Sequence, residues 1–237
     1  MGRIKRYAQL GLTVLLSAFL LVGCSTEPLA ETPATSQFSN LPRLNGTAIV
    51  QLAVNDSNIT VKVEGEKAPV TAGNFVDLVQ RGVYDGVSFH RVVREPEPFV
   101  VQGGDPQSKA IDGPDPRLGT GNFVDPSTGA PRYIPLEITP EGDEQPLYGK
   151  TFPSAGIEGS PELSHARGAI AMARSQAPNS ASSQFYFALA DLSFLDGQYA
   201  VFGYVTEGMD VVDGIQQGDR IQSATVISGI ENLELPN

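Results

Sequence analysis

The sequence predicts a mainly β domain: eight strands curled into a closed or nearly closed barrel, with two helices. Eight short runs rich in β-branched and aromatic residues are separated by turn-forming residues. Only two segments of the domain repeat their apolar residues at the helical period. So many short strands in one domain avoid exposed sheet edges by curling towards closure. A length of 237 residues lies within what a single all-β domain uses.

The first element is not part of that domain. Gly2–Arg6, "GRIKR", is a charged start, and Leu10–Val22 is an apolar run too short to span a membrane comfortably. Residues 1–23 therefore read as an export signal. The stretch "LVGC", Leu21–Cys24, resembles the lipobox of bacterial lipoprotein signals, where the cysteine thiol is acylated and becomes the new N-terminus. Cys24 is the chain's one cysteine and cannot form an internal disulfide, so lipidation supplies a reason for it. Ser25–Pro42 is rich in Ser, Thr, Pro and Ala without apolar periodicity, so residues 24–42 read as a flexible tether. The expected arrangement is a signal at 1–23, a tether at 24–42 and a folded domain at 43–237. The expected location is extracytoplasmic, lipid-anchored to a bacterial membrane, on the outer membrane or the periplasmic side if the cell has two.

Within the domain, "TAIVQLAV" and "NITVKVEG" flank Asn55, Asp56 and Ser57, so Thr47–Gly65 reads as a hairpin. "APVTAGNFVDLVQRG" then changes period: Ala72, Phe75, Val76 and Val79 share a helical face, and Gly82 is placed to end the helix. Six further strands are expected at Ser88–Val93, Phe99–Gly103, Gly168–Arg174, Gln184–Ala190, Ala200–Thr206 and Ile221–Ile230. A second short helix is expected at Glu207–Gln217, where Met209, Val212 and Ile215 fall on one side. Between Pro106 and Ser164 the chain is dense in Gly, Pro and Asp, with one apolar patch, "YIPLEI"; a loop that long is usually functional or mobile.

Composition and motifs exclude several chemistries. Sixteen basic against 27 acidic side chains give a formal charge of −11, which repels phosphate backbones and argues against nucleic acid as a partner. Without residues 1–23, which carry three cations and no acid, the charge is −14. Two histidines 75 positions apart, with a cysteine committed to the signal, do not build a zinc site. No Gly-x-Ser-x-Gly elbow marks a nucleophile. "GTGNF" at Gly119–Phe123 follows no strand and is a weak phosphate motif, and "DGPDP" lacks the spacing of a calcium loop. No metal or cofactor is expected, which leaves binding without bond-making.

Four segments then carry a resemblance. "FHRVV" (Phe89–Val93), "FVVQGGDP" (Phe99–Pro106), "GAIAMARSQAPNSASSQFYF" (Gly168–Phe187) and "FLDGQYAVFGYV" (Phe194–Val205) occur in the order found in cyclophilins, the peptidyl-prolyl cis-trans isomerases. The likeness runs from about Thr47 to the C-terminus. It implies a closed eight-stranded antiparallel barrel capped by two α-helices, with a substrate groove on its outside and proline-containing polypeptides as partners. The resemblance also implies that Arg91 projects into the groove. Rotation about a peptide bond faces a barrier of roughly 18–20 kcal/mol from amide resonance. In the twisted transition state the nitrogen lone pair is freed and can accept a hydrogen bond from a guanidinium.

Phe99 and Gln102 join Arg91 as the implied catalytic set. Val100, Tyr186 and Leu195 match pocket positions, with Ala173 at the floor; Gln184 matches a polar orienting residue, and Arg174 falls where the peptide backbone is met. Phe185 and Phe187 read as core. Phe194 stands where many eukaryotic members carry Trp, a position that supports cyclosporin binding, and Tyr199 where they carry His. Tyr186 replaces a commoner Phe, and the spacer Arg94–Pro98 is longer than usual. The expected protein is a monomeric, extracytoplasmic isomerase acting on exported or envelope proteins. The alternatives are a non-catalytic proline-peptide-binding module or holdase chaperone, and a hollow barrel around a small apolar ligand.

Overall fold

A computed structural model of the chain describes residues 38–236. The signal, Cys24 and most of the expected tether lie outside those residues. The packed chain already includes the end of that tether: Leu41 is buried in the core, and the Phe38 ring sits 4.9 Å from that of Tyr148. The domain therefore extends ahead of the boundary expected at residue 43.

Eight strands form one curled antiparallel sheet. They are β2 (Thr47–Val54), β3 (Ser57–Glu64), β4 (Arg91–Val93), β5 (Val100–Gly103), β8 (Ala169–Met172), β9 (Phe185–Ala188), β10 (Val201–Glu207) and β11 (Ile221–Ser228), in the spatial order β11-β2-β3-β10-β8-β9-β5-β4. Two small pairs complete the β structure of the described residues, β1 (Arg43–Leu44) with β12 (Leu233–Glu234) and β6 (Glu137–Ile138) with β7 (Leu147–Tyr148). The β2–β3 hairpin turns on two residues, Asn55 and Asp56, at φ 50° and 60°. Both angles lie in the left-handed region that Asn and Asp tolerate and that tight hairpins need.

The sheet does not close as expected. Its edge strands β11 and β4 do not pair with each other, so the architecture is a half-barrel rather than a closed ladder. Ladder pairing needs extended backbone on both sides, and ahead of β4 the chain turns at Gly86, where φ is 81°. A short seam takes the ladder's place. Gly86 and Phe89 donate to the carbonyls of Ile221 and Asp219 at 2.7 and 2.8 Å, and Ile221 and Gly218 donate back to Val87 and Phe89 at 2.9 Å each.

Among the described residues there are three α-helices rather than the expected two: α1 (Pro69–Gln80), α2 (Phe152–Ala155) and α3 (Met209–Gly214). Ala68, before α1, has no side chain to cap the first turn. Pro69 needs no partner, lacking an N–H, and the next two amides donate to the buried Glu137 carboxylate, Val70 at 3.1 Å and Thr71 at 2.7 Å. At the other end Gly82 takes φ 64°, and Val83 N–H returns to Leu78 O at 3.0 Å, a Schellman closure. All eleven residues from Pro69 to Val79 are buried, so α1 is enclosed on every side rather than amphipathic.

The interior is filled. Phe75 of α1 lies 5.0–5.5 Å, ring to ring, from Tyr84, Phe185 and Phe202, and these four side chains have no exposed surface. That packing counts against a hollow barrel. The 107–164 region also builds structure of its own. In the "YIPLEI" patch Ile134, Leu136 and Ile138 are buried, and Leu136 and Ile138 join Phe152 and Ala200 in a small separate core.

Candidate active site

Strand register places the site. Arg91 on β4 is opposite Gln102 on β5, Gln102 is opposite Tyr186 on β9, and Tyr186 is opposite Ala171 on β8. Directly opposed residues share a face, so these side chains form one row on the outer surface. The neighbouring row, Val92–Val101–Phe187–Ile170, points the other way, and its last three members are fully buried in the main core. One arginine inside an apolar run is thus the outward member of an alternating strand.

Above that row lies a pocket of about 190 Å³. Phe99, Val100, Tyr186 and Leu195 supply apolar wall, with Ala173, Arg91, Gln102, Arg174 and Tyr199 completing the lining. Val100 and Tyr186 are buried, whereas Arg91 is exposed. The Arg91 guanidinium stands 5.5 Å over the Phe99 ring, which is stacked at 6.0 Å with Phe194. Phe194 itself is 63% exposed and forms the rim. The Arg174 side chain is occupied elsewhere: it donates to Gln198 O at 2.7 Å and Ser175 O at 2.8 Å, and covers the Tyr199 ring at 4.6 Å. It braces two loops around the pocket. The spacer between β4 and β5 is closed by Phe99 N–H on Val93 O at 3.0 Å and tied to the α3 backbone by Arg94, 2.8 Å from Asp213 O.

A chain of hydrogen bonds runs from the surface inwards. Arg91 Nη1 donates to Gln102 Oε1 at 3.4 Å, Gln102 Nε2 to Gln184 Oε1 at 3.2 Å, and Gln184 Nε2 to Gly121 O at 2.8 Å. The turn carrying Gly121 is fixed by the buried Asp105, whose Oδ2 accepts from Gly119 N–H at 2.7 Å and Gly121 N–H at 3.1 Å. A side chain at Gly121 would place its Cβ 2.0 Å from Asp105 Oδ1, so only glycine fits. The glycine pattern "GTGNF" thus wraps the protein's own carboxylate. Sequence reasoning missed Asp105, although an Asp directly after the glycines that end β5 was the available signal.

A second cavity of about 280 Å³ shares Gln102, Ala173 and Arg174 with the first. Its far side comes from the 107–164 region, through Thr120, Asn122 and Tyr133. The two cavities form one groove, and the long region is one of its walls.

Both histidines lie near the site. His90 precedes β4, and its ring nitrogens are enclosed without a hydrogen-bond partner among the described residues. Burial pushes its imidazole below the usual histidine value, with Asp105 pulling the other way. His165 contacts Tyr186 from behind the pocket. Among the described residues no group of three or more His, Cys, Asp or Glu is placed to hold a metal ion.

Comparison with known proteins adds three findings. Residues 49–232 match the cyclophilin type peptidyl-prolyl cis-trans isomerase/CLD family. The chain is 45% identical over 208 residues to a putative thylakoid lumen peptidyl-prolyl cis-trans isomerase of Synechocystis sp., covering 83% of this chain and 51% of that protein. It is 39% identical over 219 residues to the chloroplastic peptidyl-prolyl cis-trans isomerase CYP38 of Arabidopsis thaliana, covering 85% and 47%. The chain thus spans about half the length of these curated relatives. In fold it is similar to a Cryptosporidium parvum cyclophilin crystallised in the presence of the dipeptide Ala-Pro, with TM-score 0.56, 23% identity and coverage of 76% of this chain and 99% of that one.

Proposed function

The chain belongs to the cyclophilin-type peptidyl-prolyl cis-trans isomerase family, and from that premise we propose that it accelerates cis–trans isomerisation of X–Pro bonds in exported or envelope proteins. The observation that carries this reading is the Arg91–Gln102 pair beside an apolar pocket on the outer face of the sheet. The proline ring sits among Phe99, Val100, Tyr186 and Leu195, which bind it through apolar burial. Gln102, held from behind by Gln184, orients the guanidinium. As the X–Pro bond twists, its nitrogen leaves conjugation and becomes an acceptor, and an Arg91 N–H donates to it. The planar ground states offer no such lone pair, so the bond stabilises the transition state selectively. No proton moves and no covalent bond breaks.

A charge-assisted hydrogen bond contributes about 1.5–3 kcal/mol, which is roughly ten- to a hundredfold in rate. Arg91→Ala should therefore lower kcat/KM on a proline tetrapeptide by about that factor with Tm unchanged, since the side chain is exposed. Unchanged turnover would remove Arg91 from the mechanism. No turnover in the wild type, with peptide binding retained, would favour the peptide-binding module instead.

The lumenal description of the Synechocystis relative supports an extracytoplasmic setting. We place the anchor at Cys24, on the "LVGC" motif and the polar stretch behind it. A diacyl or triacyl group holds a protein firmly where one chain does not. Cys24→Ser should abolish incorporation of labelled fatty acid and leave isomerase activity intact. Label retained in the variant, or a wild type found wholly in the soluble fraction, would defeat the anchor.

A further inference from the structure

Tyr186 poses a problem for a pocket that must accept an apolar ring. It lines the pocket from β9 and is 5% exposed, yet it carries a hydroxyl, and a buried phenol needs a hydrogen-bond partner. The partner comes from behind the sheet's outer face. His165 Nε2 lies 2.9 Å from Tyr186 Oη, and the two rings stack at 6.1 Å with 14° between their planes.

The imidazole is itself fixed. Its side chain is fully buried, its Nδ1 lies 2.8 Å from Asp196 Oδ1, and its backbone N–H donates to the same oxygen at 2.8 Å. An ionised carboxylate only accepts, so Nδ1 carries the proton, Nε2 is left as an acceptor, and the Tyr186 hydroxyl donates to it. On its other side the Tyr186 ring meets the Tyr199 ring edge-on at 6.2 Å and 81°. The wall is clamped between the two.

We propose that His165, oriented by Asp196, is a positioning residue for the proline pocket: it draws the Tyr186 hydroxyl out of the cavity and holds the ring as a rigid apolar wall. The proposal rests on the isomerase reading and adds to it a specificity determinant in which neither His165 nor Asp196 lines the pocket. Without the acceptor, the hydroxyl must find water, and the cavity that the Tyr186 ring lines is the proline pocket. A hydrated pocket binds an apolar ring less well, so the loss falls on substrate binding and KM rather than on kcat.

Two substitutions separate this role from simple packing. An asparagine amide reaches the place of Nδ1, and a glutamine amide the place of Nε2. In the full-length chain, His165→Asn should keep the Asp196 contact, lose the Tyr186 contact and weaken binding of an Ala-Pro peptide about tenfold, the equivalent of one lost buried hydrogen bond. His165→Gln should restore binding to within about threefold of wild type. In a Tyr186→Phe background, the Asn substitution should have no further effect on binding. Equal binding by the Asn variant and wild type, no rescue by Gln, or an undiminished effect in the Phe background would each overturn the proposal.

If the variants fail to fold, nitrogen NMR of the wild type decides. A protonated Nδ1 with bare Nε2 and a slowly flipping Tyr186 ring support the clamp; a protonated Nε2 or a freely flipping ring refutes it. These signals are independent of turnover, so an inactive wild type would sink the isomerase reading without deciding the fate of the clamp.

Discussion

Arg91, Gln102 and Tyr186 meet because each is the outward residue of its strand and the three strands are in register. The inward residues beside them, Val101 and Phe187, hold that register, because a one-residue slip would exchange core for surface. Phe194 is positioned differently, by a 3-10 turn at Ser193–Leu195 and by stacking on Phe99, and it contributes almost nothing to the core. Its chemistry is therefore free to vary. Phe194→Trp adds an indole N–H at the groove edge and should raise cyclosporin affinity more than it alters turnover. Inhibition constants and rates for the two proteins check this, and a shift confined to the rates would mean that Phe194 does not occupy the inhibitor-facing position.

At the scale of elements, the 107–164 region is a structural partner of α1 as well as a wall of the groove. Glu137, 66 positions beyond Thr71, supplies the cap that Ala68 cannot. The carboxylate also faces the positive end of the helix dipole. Burial nonetheless pushes its carboxyl above the usual value, with the Thr71 and Val70 N–H groups pulling it down. Glu137→Ala leaves two buried amide N–H groups unpartnered and should cost about 2–4 kcal/mol. That corresponds to a Tm lower by roughly 5–15 °C in a domain of this size. A loss under about 1 kcal/mol in a urea titration would show that water takes over the cap.

For the whole molecule, the buried histidines set a pH dependence. The folded values of His90 and His165 both lie below the ordinary 6.5, in each case chiefly through burial. The unfolded chain thus binds these protons more readily than the folded one. Stability is retained above 6.5 and is lost as the pH falls below it towards the depressed folded values. The urea midpoint should drop between about pH 7.5 and 5.5, and the drop should shrink in His165→Gln. A flat midpoint across that window would contradict it. Glu137, with its raised value, acts in the opposite direction at lower pH, where the folded protein holds the proton more tightly.

The sequence by itself determined the eight strands of the main sheet, because a strand's composition and period of two are local and survive without knowledge of its neighbours, whereas the row of outward side chains needed the strand register. It marked both ends of α1, but it called that helix amphipathic where the structure encloses it, because the elements that cover its outer side come from distant segments. Only the tertiary structure decided the rest. The half-barrel depends on how the Gly86 turn meets the start of β11. Asp105 acquires its role from Gly119 and Gly121, and Tyr186 from His165, 21 positions earlier and on another segment. Such pairs are joined by hydrogen bonds between residues remote in sequence, which leave no periodicity behind. The "YIPLEI" patch shows the same limit: its apolar character was visible, but not the core it completes with Phe152 and Ala200, because burial is a property of the folded neighbourhood rather than of the segment.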